Sequence, residues 1–373
     1  MAERFKAHAW KACILEMESW VRIPSSLQKN KYINKNQIMY NSRISGLGMY
    51  VPENVVTNDD LSKIMDTSNE WIIERTGIKE RRHIKKGDGN STVVMGVKAA
   101  KIAIDRAEID KDDIDLILFA TLSPDYYFPG SGVLAQEMLD IPTCPAMDIR
   151  NQCSGFIYAI STADQFIKSG MYNNILVIGS ENHSGGLDFT TRGRGVSVIF
   201  GDGAGAAVIT REEDLSKGIL SSHLHSEGKH AEELSLLGPS TNRWVPEILE
   251  ANDPGDISYF PYMNGQLVFK NAVVRFSEVI MEGLNHNNLK PDQIDMLIPH
   301  QANLRISQFV QKKFGLSDDQ VYNNIQKYGN TTAGSIPIAL TESWQEEKIK
   351  SGDIVVLAAF GSGFTWGSTI IKW

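Results

Sequence analysis

Cys153, His300 and Asn330 are the residues whose types and placement can do chemistry together. Cys153 stands in Asp148-Ile149-Arg150-Asn151-Gln152-Cys153-Ser154-Gly155-Phe156, after a short stretch, Pro145 to Ile149, that reads as a strand end. The next run, with Phe156, Ile157, Ala159, Ile160, Ala163 and Ile167, has helical spacing and is apolar almost all round. That pattern predicts a buried helix. A thiol in the first turn of such a helix faces unpaired backbone N–H groups and the positive end of the dipole, and both favour thiolate. A lone buried cysteine is more often a small hydrophobe; the strand-to-helix turn moves the reading toward a nucleophile.

The second half of the chain repeats the first. Ile167-Lys168-Ser169-Gly170 recurs as Ile349-Lys350-Ser351-Gly352, an offset of 349 − 167 = 182. Asp113-Ile114-Asp115-Leu116 recurs as Gln293-Ile294-Asp295-Met296, an offset of 294 − 114 = 180. Each copy stands beside an apolar strand, so the chain is read as two copies of one unit of alternating strands and helices. At the larger offset Ser335 maps onto Cys153, which places the loop from Tyr328 to Ser335, with Asn330, opposite the cysteine turn. His300 comes after the apolar stretch ending at Ile298. Sites in open α/β sheets lie beyond the carboxyl ends of strands, where all three residues are expected. A histidine or an asparagine in such a loop is often only a hydrogen-bonded turn former; their joint placement with Cys153 favours catalysis.

The elements that position these residues are legible in outline. Ile114 to Ala120 and Ile175 to Gly179 are continuous apolar runs, read as buried parallel strands. Residues 92–107 form a small-residue helix. Glu70 to Thr76 is helical and closed by Gly77, with Trp71 and Arg75 four apart and so on one face. Phe200 to Ile209 carries alternating glycines that lead into a strand, not a helix, so the dinucleotide fingerprint fails and close backbone packing explains it.

Composition sets the bounds. The chain has 373 residues, 42% hydrophobic and 22% charged, with a net charge of −8 and three cysteines. It is long enough for two domains. The charge argues against general nucleic-acid binding. No apolar run approaches a membrane span. The cysteines have no paired spacing and fit a reducing, cytoplasmic compartment. No metal-ligand motif appears, so no metal is expected. Residues 1–38 are basic and unlike the rest of the chain. Met39 is read as the native start, with 1–38 as a disordered or non-native leader; a flexible tail or an organelle-targeting segment are the alternatives. The expected division is then 39–212 for the half with the nucleophile and 213–373 for the half with His300 and Asn330.

From Met39 to Trp373 the chain resembles the 3-oxoacyl-[acyl-carrier-protein] synthase III family. The matching stretches are Glu70-Trp71-Ile72 with Arg75-Thr76-Gly77-Ile78, Cys153-Ser154-Gly155-Phe156, Phe200 to Ala206, His300-Gln301-Ala302-Asn303-Leu304-Arg305-Ile306, Asn330-Thr331 and Gly363-Phe364-Thr365-Trp366-Gly367. The resemblance implies a thiolase-like fold, duplicated in five αβαβα layers, and a homodimer with a Cys-His-Asn site. It implies that Trp71, Arg75 and Arg194 line the entrance for the coenzyme A or phosphopantetheine arm, that Asn303 contacts substrate, that Phe128 reaches the partner's acyl pocket, and that Arg305 meets the acidic carrier protein.

The implied reaction is a decarboxylative Claisen condensation of an acyl-coenzyme A with malonyl-acyl carrier protein. Cys153 takes the acyl group as a thioester. His300 and the Asn330 amide donate hydrogen bonds to the enolate. The backbone N–H groups of Cys153 and Ser362 form the other oxyanion hole. No cofactor is required, since coenzyme A and phosphopantetheine thioesters are the substrates. Two departures from the family pattern bear on the acyl donor. The turn before Phe364 reads Gly361-Ser362-Gly363, where a serine restricts the backbone. The stretch Glu227 to Tyr262, with Trp244 and Pro246, is long. The alternatives are a condensing enzyme of a specialised pathway, making resorcinols, quinolones or long-chain ketones; a non-decarboxylating acyltransferase; and a silent subunit that only binds carrier protein.

Overall fold

The fold is built on strands that are apolar on both faces. In the computed structural model, residues 40–238, 240, 253 and 256–373 are described. The leader 1–38, Cys13, Trp244 and Pro246 lie outside them. The first half carries β1 (Asn41–Tyr50), β2 (Val55–Thr57), β3 (Glu80–Arg82), β4 (Leu116–Ala120), β5 (Ala146–Ile149), β6 (Asn174–Glu181) and β7 (Gly203–Glu212). The second carries β8 (Gly218–Ser226), β9 (Leu234–Ser235), β10 (Tyr262–Met263), β11 (Met296–Pro299), β12 (Ile354–Gly361) and β13 (Thr365–Lys372). One sheet has the order β1-β7-β6-β4-β5 and another β11-β12-β13-β8. Read from its far end, the second sheet runs β8-β13-β12-β11, matching β1-β7-β6-β4.

Alternation along each strand builds the layers. In β4, Leu116, Leu118 and Ala120 face one core while Ile117 and Phe119 face another. In β12, Val355, Leu357 and Ala359 join the first of these cores, and Val356, Ala358 and Phe360 join a third. The shared central core takes in two helices that are buried almost all round, Gly155–Lys168 and Ser335–Gln345. Helix Thr92–Arg106 covers the outer face of the first sheet, and Gly265–His286 and Leu304–Phe314 cover that of the second. The result is five layers, αβαβα, and the expected thiolase-like fold is observed.

The repeat holds its register at the site, but not at the offset taken from Ser335. Gln152 and Thr332, the first residues of two 3-10 turns, both have positive φ, 45° and 47°, and are 332 − 152 = 180 apart. The helices after them start at Gly155 and Ser335, again 335 − 155 = 180 apart. So Ala333, not Ser335, is the counterpart of Cys153. The larger offset belongs only to the loops at Gly170 and Gly352, beyond helices of 14 and 11 residues.

Glycines mark where layers meet backbone to backbone. A Cβ on Gly205 in β7 would lie 2.6 Å from the Pro337 Cβ, so close packing is what these glycines serve. A Cβ on Gly179 in β6 would lie 2.3 Å from the Ala333 carbonyl oxygen. Gly179→Ala should therefore destabilise the protein by about 1–3 kcal/mol, the range for overpacking a tight interior. Gly228→Ala, which meets nothing within 4 Å, should leave it unchanged. Urea denaturation of both checks this; equal midpoints would show that the 179–333 approach carries no constraint.

Candidate active site

Three strand ends and two turns assemble the site. Cys153 sits in the 3-10 turn Gln152–Ser154, just before helix Gly155–Lys168. The hydroxyl of Ser154 bonds the Asn151 carbonyl at 2.9 Å and Thr365 Oγ1 at 2.7 Å, which ties the turn to the start of β13. The end of β12 presses on the nucleophile. A Cβ on Gly361 would lie 2.5 Å from the Cys153 Cβ and 2.9 Å from its Sγ. Only glycine fits there, a requirement with no local signal in the sequence.

The thiol is not poised as thiolate. Burial, and then the nearby Glu181 carboxylate, push its pKa up to about 12, against the pull of the Ser362 and Cys153 backbone N–H groups. Loss of hydration outweighs the pull of those two N–H groups, in the direction opposite to the thiolate expected from the helix start. Those two N–H groups do lie at the sulfur, the arrangement an oxyanion hole requires. Ser362 is absent from the residues with positive φ, so the serine does not strain the turn. Its hydroxyl donates to the Leu234 carbonyl.

His300 comes directly after β11 and extends its ladder, donating its N–H to the Ala358 carbonyl at 2.8 Å. Its Nδ1 bonds the Ser335 hydroxyl at 2.6 Å, and that hydroxyl also accepts from the Gln301 N–H at 3.4 Å. With Ser335 donating to Nδ1, the ring proton stays on Nε2, which is buried and has no partner. Burial, reinforced by His183, lowers the pKa of His300 to about 3, so the ring is neutral at physiological pH. Asn330 is oriented likewise. Its Oδ1 accepts from the Thr332 N–H at 2.8 Å, and its backbone bridges to Phe200. The Asn330 Nδ2 is left to donate.

Cys153 lies between two cavities. The larger, about 760 Å³, is lined by Cys153, His300 and Asn330 at its floor and by Trp71, Arg75 and Arg305 toward its mouth. The smaller, about 210 Å³, includes Cys153 and Ser362 on the other side. At the entrance the Arg75 and Arg194 guanidinium groups lie 4.5 and 4.7 Å from the Trp71 ring centre. Asn303 also lines the larger cavity, but its amide is engaged. It donates to the Arg75 carbonyl at 2.8 Å and accepts from the Arg305 N–H at 3.0 Å, capping helix Leu304–Phe314. It therefore fixes the entrance instead of presenting both amide atoms to substrate. Phe128 lines neither cavity of this chain and is 81% exposed.

Sequence reasoning misses Glu181, Gly361 and the use of Ser335. The Glu181 carboxylate is fully buried and accepts from Thr121, Leu122, Ser123 and Ala333. Burial lifts its pKa to about 7 against those donors. Among the described residues no cluster of His, Cys, Asp or Glu is arranged to hold a metal ion, and no helix is long and apolar enough to cross a membrane.

Comparison with known proteins places the chain among its relatives. The model of 3-oxoacyl-[acyl-carrier-protein] synthase III matches residues 147–228, and that of its C-terminal part matches 284–373. The chain is 45% identical over 331 residues to beta-ketoacyl-[acyl-carrier-protein] synthase III of Aliivibrio fischeri, covering 89% of this chain and 99% of that protein. It is 46% identical to the Shigella flexneri protein of the same name over the same shares. The crystal structure of 3-oxoacyl-[acyl-carrier-protein] synthase III from Aquifex aeolicus superposes with a TM-score of 0.81 at 42% identity, covering 89% of this chain and all of that one.

The contact at Gly361 gives a direct test. Gly361→Ala should displace the Cys153 side chain and abolish its acylation, measured by intact mass, while circular dichroism stays that of the parent. A folded variant that acylates at the parent rate would show that the strand end can yield.

Proposed function

The chain belongs to the 3-oxoacyl-[acyl-carrier-protein] synthase III family, and from that premise we propose how its residues divide the reaction. It is a condensing acyltransferase of fatty-acid synthesis, joining an acyl-coenzyme A to malonyl-acyl carrier protein in the initiating step. The observation that carries the assignment of roles is the position of Cys153 between two cavities, with the unpartnered His300 Nε2 on the larger one.

The thioester arm enters past Trp71, Arg75 and Arg194, whose cationic faces suit an adenine ring and its phosphates. The Cys153 sulfur attacks the acyl carbonyl, whose oxygen develops charge toward the Cys153 and Ser362 N–H groups. The thioester bond breaks, and the thiol proton of Cys153 ends on the departing coenzyme A. Malonyl-carrier protein then occupies the same entrance, with Arg305 on the docking face. Its carboxylate leaves as carbon dioxide, and the electron pair forms an enolate whose oxygen accepts from His300 Nε2 and Asn330 Nδ2. The enolate carbon attacks the acyl-enzyme carbonyl, the Cys153 thioester bond breaks, and the thiolate that leaves takes a proton from solvent. A neutral His300 is what this role needs: it donates without giving up its proton.

A non-decarboxylating acyltransferase that uses a second cysteine is less well supported. Cys144 is half-buried, its thiol pushed up by burial, and it lines neither cavity. The proposed homodimer rests on an open edge. Strand β5 ends its sheet with Met147 exposed, and the exposed aromatic tip at Tyr126, Tyr127 and Phe128 stands out from the same half. We place the enzyme in the cytoplasm, with no cofactor beyond its thioester substrates.

Two predictions separate the steps. His300→Ala and Asn330→Ala should still take an acyl group onto Cys153 but lose about 100- to 1,000-fold in carbon dioxide release, the range for an oxyanion donor. Cys153→Ala should lose acylation and keep slow decarboxylation. If His300→Ala instead abolished acylation and decarboxylated normally, the histidine would be the activating base. The second prediction concerns pH. Because burial depresses His300 from its usual 6.5 to about 3, the ring stays neutral above that value. Decarboxylation by Cys153→Ala combined with Glu181→Gln, which removes the buried carboxyl whose pKa is about 7, should then show no inflection near 6.5; a rise or fall there would mean that His300 titrates in the open range.

A further inference from the structure

Glu181 is a buried acid that the reaction above does not use. It ends β6 and is fully buried. Its carboxylate accepts from Thr121 Oγ1 at 3.1 Å, from the Leu122 N–H at 3.1 Å, and from the Ser123 N–H and hydroxyl at 3.1 and 2.6 Å. The fifth donor is the Ala333 N–H at 3.4 Å, in the second turn of the repeat. Thr121 in turn donates its N–H to the Ile149 carbonyl at 3.3 Å, at the end of the strand that leads into the Cys153 turn. The carboxylate is thus tied to both turns, and none of its partners is a cation.

The cluster is ordered to receive a negative charge. The Thr121 hydroxyl already accepts from the Ser123 N–H, and the Ser123 hydroxyl from the Asn182 N–H, so each has its proton free for Glu181. Five donors favour the carboxylate, and burial opposes them strongly enough to lift its pKa to about 7. A charge with no cation beside it acts on whatever else is near. Cys153 feels it: after burial, Glu181 is the largest cause of the thiol's lost acidity. The other titratable groups on the surrounding elements are His183, His300, Asp202 and Asp125, with Arg150 exposed beyond Cys153. Burial lowers His183 to about 4 and His300 to about 3, and lowers His83 beyond Asp202 as well. Asp202 accepts from the His183 and Ser184 N–H groups, and Asp125 from those of Thr92 and Val93. Strands β4 and β12 and the second turn carry no charged residue.

Resting on Cys153 as the acylated residue, we propose that Glu181 is a positioning residue for the nucleophile: bound between the two turns, its carboxylate keeps the proton on the Cys153 sulfur while the site is empty. Two of its donors, Leu122 and Ser123, line the smaller cavity, so the same carboxylate also fixes that wall.

The test is the rate at which iodoacetamide alkylates Cys153 across neutral pH, followed by intact mass with Cys153→Ala as the blank for the other cysteines. Only thiolate reacts, so the rate rises about tenfold per pH unit while the thiol's acidity is constant. In the parent, Glu181 gains its charge near pH 7 and makes the thiol a weaker acid above that point. The logarithm of the rate should therefore follow two lines of unit slope joined by a flatter stretch near pH 7, the upper line displaced downward by about tenfold. Glu181→Gln, with the circular dichroism of the parent, should give one straight line and above pH 7 should alkylate about tenfold faster than the parent. Glu181→Asp, which keeps a carboxylate there, should return the rate toward that of the parent. A parent profile of unit slope throughout overturns the proposal whether or not the variants fold, and so does a folded Glu181→Gln that matches the parent above pH 7. An aspartate variant as fast as the glutamine variant overturns it too, since disturbed packing and not lost charge would then be freeing the sulfur. Alkylation reads the thiol alone, so each of these results leaves the acylation of Cys153 to be judged by its own test.

Discussion

The close approach of Gly361 to Cys153 is the constraint on which the site depends. A strand end of the second half rests on the nucleophile of the first, with no Cβ between them. That approach fixes the sulfur against the Ser362 N–H. It also requires β12 to emerge from the central core at one height, which the shared packing of Val355, Leu357 and Ala359 with the two central helices provides. Loosening any layer would move the strand end relative to the turn. The five layers are therefore the support of one backbone-to-sulfur contact, and rigidity there is the form that preorganisation takes.

The duplication shows how two copies of one unit came to do different work. Each half has a turn with a positive-φ residue, then a buried helix. In the first, the turn holds Cys153 beneath Gly361. In the second, it holds Ala333, whose N–H is closed to substrate because it already donates to Glu181. Glu181 and Gly361 are themselves counterparts, 361 − 181 = 180 apart, each the last residue of its strand. A glycine leaves room for a thiol; a carboxylate fills the equivalent space. The second half contributes His300 and Asn330 instead, aimed at the larger cavity by Ser335 and Thr332.

Much of this is legible in the sequence. The repeat locates Cys153, His300 and Asn330, because strand ends in α/β units gather on one side and the apolar runs mark those ends. The larger offset misses by two at Ser335, because the matching stretches lie at and beyond the far ends of the two helices, where length varies, while the helix starts hold the true register. Ser335 matters for another reason, as the partner of His300 Nδ1. The protonation of Cys153 escapes sequence reasoning, since a helix start is a local signal and burial is not. Glu181 lies 28 residues from Cys153 in sequence, 181 − 153, and nothing in its own neighbourhood marks it.

The raised pKa of Cys153 bears on the enzyme's exposure to damage. Peroxides and small electrophiles attack thiolate, not thiol. A sulfur held protonated and almost out of contact with solvent is therefore shielded from the oxidants and alkylating agents met in metabolism. Reactivity arises only when a thioester fills the cavity and brings its carbonyl to the waiting N–H groups. Selectivity against unwanted chemistry would thus precede recognition of any substrate, set by the same burial that makes the nucleophile a weak acid.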